Sequence, residues 1–412
     1  MRFFGLDVHR DFCEVAVAED GELRSAGRVM TTPGALAEFA ATLRESDQVA
    51  MEATGVAAAI ARILEGHVAR VVVCKAQDLP VAQARAKTDR LDAQQLARLL
   101  AQGYLREVWV PDEPTRVLRR RCSRRMSLVH ARTRVKNEVH GVLMRTLQGR
   151  PPLTDIFGKS GRRWLAGLQL TVDESETLEA SLRQIDFISQ EIELLDGQIA
   201  RQALDWPEIQ RLMSIPGLDL YTAAAVMAAI GDIRRFSSPR QLVGYLGLDP
   251  KVRQSGSEPA RHGHISKRGP AQARHALGQA AWVAMRSPGP MRAFAERIRA
   301  RRGSQVAVTA LARKLAVLSW HLLTREEDYA YARPTLLASK LRRLHLAAGA
   351  EPPATPSAKG RTREQERALA EQAESAYRRL LADWKAAGAG ATPGRASQRP
   401  SKGKAARQAT SP

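Results

Sequence analysis

Lys87–Leu100, KTDRLDAQQLARLL, reads as a helix whose first turn gathers two acids. Thr88 or Asp89 can cap it, and Leu91, Leu96, Leu99 and Leu100 continue it. Asp89 and Asp92 stand three apart, so their carboxylates share one face. The helix dipole and a cap account for one acid at an N-terminus; two on one face are more than a cap needs. Hard divalent cations want several oxygen ligands, so this pair is a weak metal signal until further carboxylates reach it.

Two more acids stand in suitable places. Asp7 in RFFGLDVHR and Glu52 in QVAMEATG each close a short apolar run and precede a turn, where an α/β sheet places its site. Residues 2–20 form extended runs, a break at Asp20–Gly21 follows, and Leu23–Met30 extends again, which predicts a β-meander. A helix from Thr32–Pro33 to about Arg44, a strand at Gln48–Glu52, a helix at Val56–Leu64 and a strand at Val68–Cys74 follow. Three antiparallel strands and then β-α-β units predict an α/β domain of ribonuclease-H type over residues 1–110.

The chain has 412 residues and a formal charge of +21, from 64 Lys and Arg against 43 Asp and Glu. That excess calls for a polyanionic partner, and nucleic acid is favoured over membrane because no apolar run reaches the ~18–20 residues of a spanning helix. Arg2 is followed directly by a strand-like run, so no signal peptide is expected. Cys13, Cys74 and Cys122 are odd in number and unclustered, which suits a reducing cytoplasm and argues against structural zinc.

After Pro111 and Pro114 one long helix is predicted to about Leu147, rich in arginine and almost without acids. A solvated helix normally mixes signs, so a phosphate backbone is the expected partner, contacted by Arg120, Arg124, Arg125, Arg132 and Lys136. From Leu178 to Ile199 apolar residues recur at heptad-like spacing, which fits packing within the chain, a helical hairpin or a protomer contact. Residues 111–205 therefore read as a helical, coiled-coil-like linker.

Pro207 opens a third region, 206–325. Ile215-Pro216-Gly217 before Tyr221–Ile230 resembles a helix-hairpin-helix turn, whose backbone N–H groups suit phosphate. A polar loop at Lys251–Lys267 follows, then helices from Gly269-Pro270 to Met285 and near 290–300 and 304–324. Residues 348–412 read as a basic, largely disordered tail with one charged helix at Thr362–Lys385.

The loop at Lys251–His275 holds Ser255 beside Gly256, among Arg253, Arg261, His262, His264, Lys267, Arg268 and Arg274. Read by itself it fits an ordinary basic Ser/Gly loop that binds DNA. The sharper reading is a phosphoryl-transfer nucleophile, which needs its proton removed and the phosphate charge neutralised.

Taken together, GLDVHR, MEATG, KTDRLDA, Tyr245-Leu-Gly-Leu, Gln254-Ser255-Gly256 and Ile265-Ser-Lys-Arg-Gly269 resemble the DEDD transposases of the insertion-sequence "one-ten" family and the related Piv-type DNA invertases. The resemblance covers roughly residues 1–325. It implies a RuvC-like domain whose Asp7, Glu52, Asp89 and Asp92 bind Mg²⁺, a helical linker, and a transposase domain with Ser255 as nucleophile. It further implies a covalent phosphoserine link to donor and target DNA, an active site composed from two protomers, dimers assembling to a tetramer, a noncoding guide (bridge) RNA, and action in the bacterial cytoplasm at the nucleoid. Lys267 and Arg268 are candidates to contact nucleic acid there. A RuvC-like Mg²⁺-dependent nuclease using water in place of Ser255, and a non-enzymatic nucleic-acid-binding protein, are the alternatives. A tyrosine recombinase is disfavoured, since the one His-x-x-Arg, His67–Arg70, falls at a strand edge.

Overall fold

The computed structural model describes residues 1–75, 88–254, 259–352 and 361–389. They fall into two compact units, Met1–Asp112 and Glu113 onward. The first is an α/β unit on a mixed five-stranded sheet of β1 (Phe3–Val8), β2 (Phe12–Glu19), β3 (Glu22–Met30), β4 (Gln48–Glu52) and β5 (Arg70–Cys74). The strand order β3-β2-β1-β4-β5 puts β1 at the centre. β1, β2 and β3 run antiparallel, as the meander predicts, and β4 and β5 join in parallel. Asp20 and Gly21, both at positive φ, make the two-residue β2–β3 turn, whose twist such dihedrals match.

Alternation along β1 divides its two faces. Phe4, Leu6 and Val8 enter a core with Leu36 and Ala40 of α1 (Pro33–Ala41) and Ile60 and Leu64 of α2 (Ala57–Leu64). On the opposite face Ala16, Ala18 and Ala50 meet Ala93, Leu96 and Ala97 of α3 (Asp89–Ala101). Gly5 lies under this helix, where a Cβ would sit 2.8 Å from Leu96 Cβ and closer still to the Ala93 carbonyl oxygen and Ala97 nitrogen. The missing side chain lets α3 ride low on the sheet.

The second unit is mainly helical. α4 (Glu113–Arg145) and α6 (Val172–Leu204) pack antiparallel, and the heptad residues Leu178 and Ile185 are buried against Val135, Val139 and Leu143. Short α5 (Lys159–Ala166) closes the far end of this pair, with Leu165 in the same cluster. A larger core joins α7 (Pro207–Met213), α8 (Leu220–Ile230), α9 (Pro239–Tyr245), α10 (Ala271–Ala284), α11 (Pro290–Arg302) and α12 (Ser304–Arg325). Within the polar loop the structure adds a hairpin of β6 (Pro250–Arg253) and β7 (Arg261–Ile265).

Two further helices, α13 (Pro334–Ala348) and α14 (Arg363–Ala389), complete the described chain. The second meets the expectation of one charged helix; the first was not anticipated. α12 is long and apolar enough to cross a membrane by length and composition, although Arg313 and Lys314 interrupt its apolar run in sequence. Its Ala307, Leu311, Leu315 and Ala316 are buried in the protein core, as in the central helix of a globular unit.

Candidate metal centre

The candidate centre lies where β1 runs out beneath the start of α3. Thr88 caps α3 by accepting from the Leu91 amide, so Asp89 is spared capping and stands in the first turn with Asp92. His9 Nε2 lies 3.0 Å from Asp7 Oδ2 and 3.3 Å from Asp89 Oδ2, so the two acids meet across one imidazole edge. Donor atoms of Asp7, His9 and Asp89 all fall within 4.8 Å of one another.

Sheet register brings up the other acids. Met51 pairs with Leu6 and Ala50 with Gly5, so Asp7 and Glu52 end neighbouring parallel strands at one level and on the α3 face. Asp7 pairs with Glu14 of β2 on the same face. Glu14 is buried, but Arg28 Nε donates to its Oε2 at 2.7 Å and neutralises it. Sequence reading missed Glu14 and His9. Only the β1–β2 register shows that the first shares a face with Asp7, and a lone histidine carries no spacing signal.

Burial pushes the Asp7 carboxyl above its ordinary range; the His9 ring beside it pulls the other way, and the charges of Asp92 and Asp89 push it up again. A cation placed among these carboxylates would offset that mutual repulsion. Cis ligands of a six-coordinate ion held at ~2.1 Å stand about 3 Å apart, and the His9 contacts have that spacing, so the residues fit a divalent metal.

The raised Asp7 value sets a pH dependence for the metal-free protein. Above the ordinary value of 3.8 the unfolded chain has released this proton while the folded protein still holds it, so stability falls as pH rises through the folded value. Urea midpoints measured in chelator from pH 4 to 8 are expected to fall less for Asp7→Asn than for the wild type. Parallel curves would remove burial of this charge as a cost of folding.

Two family models match the chain. A DEDD transposase model of the IS110 group matches residues 4–147, which contain all four acids, and the transposase model of the IS116/IS110/IS902 family matches residues 209–296. A protein of Sinorhizobium fredii assigned as a transposase is 30% identical over 295 residues, covering 68% of this chain and 71% of that protein. The chain belongs to the IS110 family of transposases. A family 20 transposase of Pseudomonas aeruginosa is similarly related, at 30% over 300 residues and 85% of its length. The transposase for insertion sequence element IS1111A of Coxiella burnetii is 29% identical over 256 residues, covering 59% of this chain and 68% of that protein.

In this transposase the basic helix α4 is largely occupied from within. Arg125 pairs with Asp196 of α6 and lies 4.1 Å from the Tyr221 ring centre; Arg132 donates to Ser189 Oγ at 3.2 Å. Lys136 stands 4.5 Å from the Phe157 ring centre, and Arg120 donates to Glu113 at 2.8 Å while staying exposed. Acids missing from α4 itself arrive from α6. Arg120, Arg124 and Arg134 form the solvent-facing stripe.

Ser255 lies outside the described residues. The strands that carry its loop are anchored: Gly247 abuts the Arg268 backbone and Gly269 the Tyr245 carbonyl, both at positive φ. Arg274 donates to the carbonyls of Leu246, Arg268 and Gly269, so it braces this junction, while Lys267 and Arg268 are exposed. The hairpin-like turn at Ile215–Leu218 is packed rather than presented. Gly217 fits under the Ala280 carbonyl, and the α8 N-terminus is capped by Asp219.

Proposed function

We propose that this transposase cleaves and rejoins donor and target DNA through a covalent phosphoserine intermediate under guidance of a structured noncoding RNA. The observation that carries the metal half of this reading is the meeting of Asp7, His9 and Asp89 at the end of the central strand. The α/β unit is read as RuvC-like, with Asp7, Glu52, Asp89 and Asp92 holding Mg²⁺. When bound, the ion neutralises phosphate charge and favours a deprotonated hydroxyl.

Ser255 Oγ then forms a bond to phosphorus as the bond to one deoxyribose oxygen breaks, and the released DNA hydroxyl takes up a proton. Attack by an incoming strand's hydroxyl reverses the exchange and frees the serine. The phosphodiester energy is conserved. We assign the non-bridging oxygens to basic residues of this loop, among them the exposed Lys267 and Arg268.

Trapping on a suicide substrate, denaturing and mapping the DNA-linked peptide is expected to give an adduct on Ser255, lost in Asp89→Ala and Asp92→Ala. Free cleaved ends without adduct would leave a RuvC-like nuclease that uses water.

Guide RNA is assigned to the exposed stripe of α4. Changing Arg124 and Arg134 together to Gln should flatten the salt dependence of RNA affinity by about 0.7–0.9 per lost phosphate contact. Arg125→Gln is expected instead to lower stability by about 1–3 kcal/mol, because its partners Asp196 and Tyr221 are internal. A slope unchanged in the double variant would sink the RNA assignment. Self-association is assigned to α6, where Phe187 and Leu194 are exposed one heptad apart, in keeping with dimers that assemble to a tetramer on DNA in the bacterial cytoplasm.

A further inference from the structure

We propose that His9 is a direct ligand of the divalent ion, adding one nitrogen donor to a site otherwise made of carboxylates, so that the centre favours Mn²⁺ over Mg²⁺. This rests on the metal reading of Asp7 and Asp89 given above.

Three observations carry it. The first is position: His9 follows Asp7 by two residues, just beyond the end of β1. Its Nε2 is the atom that faces both acids, at 3.0 and 3.3 Å. The second is fixation. The His9 amide donates to the Phe12 carbonyl at 2.9 Å, its own carbonyl accepts from Thr31 Oγ1 at 3.1 Å, and its ring lies 5.1 Å from that of Phe12. Phe12 is held in turn by the Arg28 guanidinium, 4.4 Å from its ring centre.

The third is access. The His9 side chain is 39% exposed and that of Asp89 45%, against 15% for Asp7, so the nitrogen stands on the open rim where an ion enters. An imidazole Nε2 facing both carboxylates can give its lone pair to an ion held by them. Imidazole is a poor ligand for Mg²⁺, which prefers oxygen, and a better one for transition ions.

The test is Mn²⁺ binding to the full chain, free of nucleic acid, followed by electron paramagnetic resonance and electron spin-echo modulation. The wild type is expected to show coupling to one directly bound ¹⁴N, replaced by a ¹⁵N pattern after histidine labelling. His9→Asn should lose the coupling and weaken Mn²⁺ about 10-fold or more while changing Mg²⁺ competition by less than about 3-fold. Asp89→Ala should lose the ion altogether. Bound Mn²⁺ that is lost in Asp89→Ala but shows no nitrogen in the wild type would overturn the proposal and leave the carboxylate site standing. No Mn²⁺ bound to the wild type would overturn both. The wild-type spectrum decides even if a variant fails to fold.

Discussion

Gly5→Ala is expected to abolish metal binding and to lower stability by about 3 kcal/mol or more, although it touches none of the acids. A Cβ at position 5 would overlap the Ala93 carbonyl oxygen and the Ala97 amide nitrogen. Both are backbone atoms of α3, so no rotamer change relieves the clash and the helix itself must lift or slide. Asp89 is one turn upstream of Ala93 and would move with it, opening the 3.3 Å approach to His9. Urea midpoints and Mn²⁺ titrations on the same preparation measure the two effects. Unchanged metal affinity would show that the centre does not depend on the seating of α3.

The second large effect is expected at Lys340. Its Nζ donates to the carbonyls of Met213, Ile215 and Leu218 at 2.7, 3.1 and 2.7 Å, and the residue is 7% exposed. Burial lowers its pKa to about 8, which still leaves three donors for three acceptors at pH 7. Lys340→Met keeps the stem and strands the carbonyls of the α7–α8 turn. Losing the cost of burying a charge offsets part of this, leaving about 2–4 kcal/mol of destabilisation. A denaturant midpoint within error of the wild type would mean that the turn holds itself.

These two sites mark where sequence reading stops. The α/β topology was legible because apolar runs, Asp20–Gly21 and the Thr88 cap are local signals. Legible in the same way were the positions of Asp7, Glu52, Asp89 and Asp92 near strand ends and at a helix start. What Arg125, Arg132 and Lys136 do was not legible, because Asp196, Ser189 and Phe157 lie far along the chain and only the pairing of α4 with α6 brings them near. α13 went unnoticed, since the purpose of Lys340 appears only once the turn it serves is folded. The β6–β7 hairpin was hidden by a polar composition that gives no alternating pattern.

α4 and α6 each contain 33 residues and lie side by side, tied at one end by Arg145 and Glu174 and toward the other by Arg125 and Asp196. Equal lengths make the pair behave as a ruler of roughly 50 Å at ~1.5 Å per residue. Seven residues added to one helix alone, between its struts, would put them out of register with each other, whereas seven added to both would lengthen the ruler by about 10 Å with its struts intact. Matched heptads offer an engineer, or a lineage, a way to change span in graded steps.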